Sequence, residues 1–435
     1  MISTYPTYKR SDIEWMEYIP SHWDELKGQF LLRKKDCNVG DAWISTQLLS
    51  LTQRGVIKKD INSGKGKTHS DYSTYQFVEN GDLIFCLFDI DETPRTVGLS
   101  SFEGMITSAY SVFEAINGND KKYLYYFFEF VDNCKGLKPY YSGMRKTVRP
   151  TEFLKILLPK PPKTEQKAIA TFLDRETQRI DSLIEEKQTF IKLLKEKRQA
   201  LISHVVTKGL NPNVEMQDSG IEWIGQVPKH WEKCRVKQAS SFITSGPRGW
   251  SDFISDNGNA IFLQSGDLNN ELGLNLAKAK KVSPPDGAEG QRTQLQLDDV
   301  VVCITGANTG RVALVKELDS TVYINQHLSL IRPIGEKVRS KYLAYFLSSE
   351  AGSCYYALEQ YGLKEGLSLK NVAETPLMLP PVSEQTSIEK YLDKALATLS
   401  SLVTSVEESI HLLKERRTSL ISAAVTGKID VREAV

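Results

Sequence analysis

The most constraining feature of this sequence is a set of short segments that occurs twice. The segments DIEW (12–15) and IPSHW (19–23) return as GIEW (220–223) and VPKHW (227–231), 208 positions later. Between such landmarks the two halves of the chain resemble each other only faintly. A frame that is kept while its contents diverge is typical of a tandem binding protein that recognises two different targets.

Each half ends in a long helical pattern. PPKTEQ (161–166) and PPVSEQ (380–385), 219 positions apart, precede the two patterns, and Thr164 and Ser383 are the predicted N-caps. Each pattern ends at a glycine. Apolar residues recur at heptad-like spacings, interrupted by Lys187, Arg198, Ser409 and Arg416, and the two seams are Ile180, Ile184, Ile191, Leu194, Leu201 and Val205, and Leu392, Ala395, Leu399, Leu402, Val406, Leu413 and Leu420. The order is therefore module, helix, module, helix.

The length of the helices constrains how they pack. About 40 residues at 1.5 Å per residue is roughly 60 Å, which is too long to be buried inside one compact domain. Because the chain builds its second module at the far end of the first helix, the two helices can pair only if they are antiparallel. This predicts modules at opposite ends and an approximate internal two-fold axis, the symmetry with which protein dimers meet two half-sites of duplex DNA.

Composition sets broad limits. The 435 residues allow two or three domains, and 40% hydrophobic with 25% charged residues is typical of a soluble globular protein. The absence of a long apolar run argues against a membrane span and favours a cytoplasmic protein. The cysteines have no metal-ligand spacing and are predicted to be reduced thiols: Cys37, Cys86, Cys134, Cys234, Cys303 and Cys354.

The net charge of +1 argues against a uniformly basic nucleic-acid-binding surface, so charge must be read locally. Residues 133–151 contain five basic residues and no acidic one: Lys135, Lys138, Arg145, Lys146 and Arg149. A second, glycine-containing stretch carries Arg54, Lys58, Lys59, Lys65 and Lys67. Each stretch fits either a loop that contacts DNA phosphates or a solvated charged loop.

Two extended motifs carry a family resemblance. They are the LPxPPxxEQ and LPPxxEQ segments (158–166 and 379–385) and the junction from Val206 to Glu232, which contains VTKGLNPN and DSGIEWIG. With them the whole chain resembles the specificity subunit of type I restriction-modification enzymes. The resemblance implies two target-recognition domains, each of which reads one half of a split, asymmetric DNA sequence, and a spacer set by the helices.

The predicted fold is α+β (mixed α/β), with a pseudo-two-fold repeat and two long antiparallel coiled-coil helices. The predicted boundaries are 1–160 and 211–379 for the recognition domains and 161–210 and 380–435 for the helices. The resemblance also implies double-stranded DNA and two methyltransferase subunits as partners and, in the complete enzyme, two restriction/translocase subunits. The chain itself is expected to hold no cofactor and no metal, with S-adenosylmethionine, Mg²⁺ and ATP on the partner subunits.

Short strand signals fit such a domain. Residues 82–86 and 299–304 occupy corresponding places in the two modules, as do 122–124 and 341–343, and all are predicted to be core framework. Near the end of each module, SGMRK aligns with YGLKE. Because this segment approaches DNA in the family, Arg145, Lys146, Arg149 and Lys364 are candidate phosphate or base contacts.

Further DNA-contact candidates lie in the second module: Arg248, Trp250, Asn308, Arg311, Gln326 and His327. Each also has a plainer interpretation. The glycine-rich segment 306–311 lacks the Gly-Lys-Ser/Thr ending of a P-loop and fits a turn between strands. Residues 246–250 fit a surface turn and 325–327 fit a strand. His22 and His230 occupy equivalent slots and favour a structural role over acid-base catalysis.

Catalytic motifs of methyltransferases, nucleotide-binding proteins and nucleases are not found in the sequence, which predicts a non-catalytic subunit. An unrecognised enzyme, a coiled-coil scaffold whose modules bind proteins, and the specificity subunit of a two-component system with a fused methyltransferase-nuclease partner are the alternatives. The shared LLKE(K/R)R stretch places Lys195 and Lys414 at matching heights on the two helices. These lysines are candidates for docking the methyltransferase subunits, or they belong to a solvated charged face.

Overall fold

The computed structural model describes residues 3–60, 71–143, 146–285, 287–360 and 366–434. Contacts within the chain define two compact units. Unit 1 comprises Met1–Lys187 and Glu407–Val435, and unit 2 comprises Gln188–Val406. Each long helix therefore contributes residues to both units. In the part of the chain that is described, none of the helices has the length and apolar character that a membrane span requires.

Unit 1 is a mixed α/β module. Its strands are β1 (Tyr8–Arg10), β2 (Tyr18–Pro20), β3 (Asp24–Lys27), β4 (Leu32–Lys35), β5 (Leu49–Thr52), β6 (Gly55–Lys58), β7 (Gln76–Val78), β8 (Leu83–Phe85), β9 (Val97–Leu99), β10 (Gly104–Ile106), β11 (Ser111–Ala115) and β12 (Leu157–Lys160). Its helices are α1 (Lys121–Asn133), α2 (Pro150–Phe153), the first part of α3 (Lys163–Lys208) and the last part of α8 (Val382–Val425). An antiparallel sheet in the order β4-β11-β8-β9 lies at its centre.

The core of unit 1 forms where this sheet meets α1. The rings of Phe85 on β8 and Phe128 on α1 lie 4.9 Å apart in an edge-to-face arrangement, and Phe153 on α2 packs 4.9 Å from Phe85. Such pairs stabilise a core beyond the area they bury. The sheet of unit 1 is thus fixed from one face by the helices that follow it.

Unit 2 repeats this construction with different residues. Its strands are β13 (Met216–Asp218), β14 (Gln226–Pro228), β15 (Glu232–Arg235), β16 (Ser240–Ser245), β17 (Ala260–Leu263), β18 (Lys280–Val282), β19 (Val300–Cys303), β20 (Val312–Leu314), β21 (Val322–Ile324), β22 (Leu328–Pro333) and β23 (Pro376–Leu379). Its helices are α4 (Ala288–Thr293), α5 (Ser340–Ser348), α6 (Glu350–Glu359), α7 (Leu369–Glu374), the first part of α8 (Val382–Val425) and the last part of α3. The order β16-β22-β19-β20 matches β4-β11-β8-β9, and β17 pairs with β21 in parallel.

The mixed α/β class is confirmed, but the strand prediction for residues 122–124 and 341–343 is wrong. The strand signals at 82–86 and 299–304 are present as β8 and β19, which hold equivalent places in the two sheets. Residues 122–124 and 341–343, grouped with them, are helical in α1 and α5. The side chain of Asp120 accepts hydrogen bonds from the N–H groups of Lys122 and Tyr123, so the chain has a helix cap directly before the apolar run. Both segments do contribute buried residues to the cores.

The long helices begin with the same contacts. Gln166 Oε1 accepts from Asp120 N at 2.8 Å and Gln166 Nε2 donates to Pro161 O at 3.0 Å. Gln385 makes the equivalent bonds to Arg339 N and Pro380 O, both at 2.8 Å. The predicted N-caps are wrong, because Thr164 and Ser383 lie inside the first turns of helices that begin at Lys163 and Val382. Prolines 162 and 381 precede the helices, and their fixed φ suits a helix start.

The helices end where the sequence places glycines. Gly209 and Gly427 have φ of +75° and +71°, in the left-handed region that closes a helix C-terminus. A side chain at Gly427 would also meet the ring of Pro20, whose Cδ lies 2.4 Å from the position of a Cβ. Glycine is therefore required at this helix end because of its backbone conformation and because Pro20 at the end of β2 approaches it closely.

Candidate nucleic-acid interface

In unit 2, the turn between β19 and β20 presents polar side chains at one edge of the sheet. Asn308 Nδ2 donates to Ser265 O at 3.0 Å, and Arg311 NH1 donates to Leu268 O at 2.9 Å. Both residues are half-buried. The turn is therefore anchored to the segment after β17.

The predicted DNA contacts Gln326 and His327 lie in the adjoining turn between β21 and β22. The side chain of Asn325 is buried and accepts a hydrogen bond from His327 N at 3.1 Å. His327 Nδ1 lies 2.5 Å from Thr305 Oγ1, at the start of the β19–β20 turn. The two turns are thus joined, with His327 exposed and Gln326 half-buried. The alternative that 325–327 form a strand is wrong, because these residues lie between two strands.

A third loop, residues 246–250, meets the same edge. A Cβ at Gly246 would lie 2.0 Å from Ile324 O, so only glycine permits the loop to approach β21 this closely. Trp250 is 3% exposed and its ring packs 5.3 Å from that of Tyr323. The prediction that Trp250 contacts DNA is therefore wrong, because its side chain is buried in the core and fixes the loop. Arg248 is the exposed side chain of this loop.

A cavity of about 610 Å³ opens beside the β19–β20 turn. It brings together residues from four parts of unit 2: Lys195, Arg198 and Gln199 on α3, Asn269 in the loop after β17, Asn308 and Arg311 on the turn, and Ser348 on α5. We call it the Arg198 cavity. Lys195, which the sequence suggested as a docking residue, thus lies beside two of the candidate DNA contacts. Arg198 was not among the candidate site residues predicted from the sequence. The signal that could have identified it is that it interrupts the apolar seam of the helix.

In unit 1, Lys58 and Lys59 lie at and just after the end of β6. Lys58 is exposed, with Nζ 5.0 Å from the centroid of the Phe102 ring. Lys59 is half-buried, and its backbone N–H donates to Leu48 O at 2.8 Å. The β6 end thus presents one exposed lysine and one half-buried lysine.

The other basic segment of unit 1 is partly neutralised within the chain. Lys146 Nζ lies 3.0 Å from Asp91, and Lys138 Nζ lies 3.7 Å from the same carboxylate. The hydrogen bond from Lys146 lowers the pKa of Asp91 and raises the pKa of Lys146. Arg149 is exposed at the start of α2. Among the described residues, no hydrogen bond or ion pair joins Lys58 or Lys59 to Lys146 or Arg149.

Four candidates lie outside the described residues: Lys65, Lys67, Arg145 and Lys364. Lys414 is described and is exposed on α8.

Over the described ranges, histidine, cysteine and carboxylate side chains do not cluster in a way that could hold a metal ion. All six cysteines are free thiols in the structure, and burial raises the pKa of Cys303 next to the β19–β20 turn.

The two histidines that recur in the sequence belong to the frame of the units. His22 Nε2 lies 2.8 Å from Glu165 in unit 1, and His230 Nε2 lies 2.8 Å from Glu384 in unit 2. Both carboxylates come from the first turn of a long helix. These contacts join the repeated IPSHW and VPKHW segments to the starts of the long helices. Such contacts fit a structural role for both histidines.

Comparison with known proteins places this architecture in a family. The family described as "Type I restriction modification DNA specificity domain" matches residues 26–193 and 228–410. The EcoBI specificity subunit of Escherichia coli is 25% identical over 286 residues, and the MjaVIII specificity subunit of Methanocaldococcus jannaschii is 24% identical over 292 residues. These alignments cover 63% and 64% of this chain but 58% and 64% of the relatives. The chain thus spans less than two thirds of the length of these relatives.

Solved structures show the same fold. A chain from work on complex assembly and conformational transition of the type I R-M system has a TM-score of 0.70 at 16% identity, over 94% of this chain and 99% of that one. The HsdS subunit of Thermoanaerobacter tengcongensis has a TM-score of 0.51 at 16% identity, over 94% and 98%. With a family match over both halves, the chain belongs to the type I restriction modification DNA specificity domain family.

Proposed function

We propose that this chain is the DNA sequence-recognition subunit of a type I restriction-modification complex. The observation that carries the proposal is the convergence of three loops at one sheet edge of unit 2. There Arg248, Asn308, Gln326 and His327 offer the donors and acceptors with which proteins read base edges. The family match of both halves supports the same role for unit 1, where the exposed Lys58, Lys146 and Arg149 are the proposed contacts.

In this proposal each unit reads one half of a bipartite, asymmetric target. The halves differ because the residues between the repeated landmarks differ. The chain has no catalysis of its own, and S-adenosylmethionine, Mg²⁺ and ATP act on two methyltransferase subunits and on translocating nuclease subunits where these are present. Exposed faces of the long helices, including Lys414, dock the methyltransferases.

The proposal is tested by expressing the chain with its methyltransferase and mapping the methylated positions in host DNA by long-read sequencing. We expect one split, asymmetric motif. Replacing residues 222–378 by the equivalent segment of a relative should change one half of this motif and leave the other intact, because the repeated landmarks bracket the segment. Changes in both halves would contradict independent reading.

A second experiment tests the helices as the spacer. We propose that they form an antiparallel coiled coil and an approximate two-fold frame, since the order of modules and helices permits no parallel pairing. Inserting one heptad into each helix adds about 10 Å at 1.5 Å per residue. The methylated motif should then keep both half-sequences and change their separation. An unchanged separation in a complex that still methylates DNA would contradict the spacer role.

A further inference from the structure

Arg198 on α3 and Arg417 on α8 occupy equivalent positions in the repeated helix motif, but their surroundings differ in charge. In unit 1, Arg417 NH1 donates to Glu129 at 2.7 Å and Arg417 Nε donates to Asp181 at 3.0 Å. Burial lowers the pKa of Arg417, but these two carboxylates outweigh burial and raise it. The charge of Arg417 is thus compensated by side chains of its own unit.

The equivalent carboxylates are missing in unit 2. At the 219-residue spacing of the repeat, Ser348 stands where unit 1 has Glu129, and Ser400 stands where it has Asp181. Arg198 NH1 donates to Asn270 O at 3.3 Å, while Arg198 Nε is buried and has no hydrogen-bond partner within the described residues. The nitrogen that binds Asp181 in unit 1 is therefore an unsatisfied donor in unit 2, where a buried donor is expected to find an acceptor.

Other positively charged side chains line the Arg198 cavity. Lys195 and Arg311 line it, and Glu271 is the acidic residue among its described lining. Arg311 is held in place by its bond to Leu268 O, so its cation is oriented before any ligand arrives. The amide of Asn269 lines the same space. Donors thus converge on one cavity from a helix, a loop and a turn.

We propose that the Arg198 cavity binds a phosphate group. Arg198 lines the cavity with a guanidinium that has no carboxylate partner within the described residues, while Lys195 and Arg311 supply further positive charge. A phosphate fits better than a carboxylate because it offers acceptor oxygens in several directions, matching donors that arrive from three segments. The phosphate comes either from the DNA backbone or from a free phosphate compound.

The first test is calorimetric titration of the full chain with inorganic phosphate at constant ionic strength. Ser400→Asp restores the acceptor that unit 1 has at Asp181, and Ser348→Glu restores the one at Glu129. We expect each variant to lose phosphate affinity by tenfold or more, because the internal carboxylate occupies the guanidinium. Lys195→Ala should lose affinity several-fold. Its matched control, Lys414→Ala at the equivalent position of α8, should bind phosphate as the parent does.

The variants that add a carboxylate also report on folding. Ser400→Asp and Ser348→Glu should keep or raise the unfolding temperature of the chain, since each gives Arg198 a partner. A variant that unfolds is replaced by the other one in the titration. The proposal is overturned if the parent chain does not bind phosphate, or if folded Ser400→Asp and Ser348→Glu bind it as the parent does.

The second test identifies the source of the phosphate. If it is DNA, duplex DNA should compete with inorganic phosphate, and Ser400→Asp should lower DNA affinity and reduce the slope of log K against log salt by about one. If it is a free compound, Ser400→Asp should lose phosphate binding and keep the DNA affinity and salt slope of the parent. The phosphate titration uses neither DNA nor methyltransferase, so its failure is distinct from failure of the proposed recognition function.

Discussion

Glu165→Ala is expected to destabilise unit 1 by about 3–5 kcal/mol, the sum of two buried donors left unpaired and a small cavity. Glu165 is 4% exposed and accepts hydrogen bonds from Tyr5 Oη at 2.5 Å and Trp23 Nε1 at 2.8 Å. Burial raises the pKa of Tyr5, and its hydrogen bond to Glu165 raises it further, so the phenol remains a donor at physiological pH. Removing the carboxylate leaves both donors in the core without an acceptor.

The repeat supplies a matched control for this prediction. Glu384 occupies the same helix position in unit 2, but its side chain is 25% exposed and pairs with His230. The indole nitrogen of Trp231, the counterpart of Trp23, is already buried without a partner in the described part of the chain. Glu384→Ala should therefore cost about 1 kcal/mol or less, as for an exposed ion pair.

Hydrogen exchange under denaturant measures the two units separately. Glu165→Ala should raise exchange in peptides of unit 1 and leave those of unit 2 unchanged, whereas Glu165→Gln, which keeps an acceptor oxygen, should have a smaller effect. Equal losses in Glu165→Ala and Glu384→Ala would show that the hydrogen bonds of Tyr5 and Trp23 contribute little.

Arg417→Ala should destabilise unit 1 by about 2–3 kcal/mol. Removing one partner of a buried ion pair typically costs roughly 3–5 kcal/mol, and here the cost is smaller because one cation remains. Glu129 is 4% exposed and also binds Arg95 NH2 at 2.6 Å. After the substitution, Arg95 alone compensates Glu129, and Asp181 turns to solvent.

Arg198→Ala is the control for Arg417→Ala. Since Arg198 has no carboxylate partner among the described residues, its removal should change the free energy of unfolding by about 1 kcal/mol or less, the usual range for a side chain without a buried ion pair. Denaturant unfolding followed by hydrogen exchange separates the two cases. A loss for Arg198→Ala as large as that for Arg417→Ala would mean that both arginines contribute through packing of their stems.

The sequence predicted the elements whose signal is local and periodic. The long helices, their glycine ends and the apolar strands β8 and β19 follow from spacing that depends on neighbouring residues alone. The apolar run at 122–124 was misjudged because a few residues do not separate a strand from a buried helix; the cap at Asp120 decides between them.

The candidate site was less predictable because it depends on distant residues. Arg248 and Trp250 are two positions apart, yet one is exposed and the other fills the core under Phe262 and Tyr323. That difference is set by strands that come later in the chain. The contrast between Arg198 and Arg417 likewise depends on which side chain α1 or α5 turns towards the helix, and the sequence signals of the two arginines are nearly identical.

The glutamines at the starts of the long helices have an evolutionary consequence. Gln166 and Gln385 bind main-chain groups of Asp120, Pro161, Arg339 and Pro380, and main-chain groups persist whatever side chains these positions carry. Substitutions can therefore accumulate in the loops that face a ligand without breaking the hydrogen bonds that connect each module to its long helix. Selection for new binding preferences and selection for a sound assembly act on separate sets of residues, so a changed preference need not pass through an unstable intermediate.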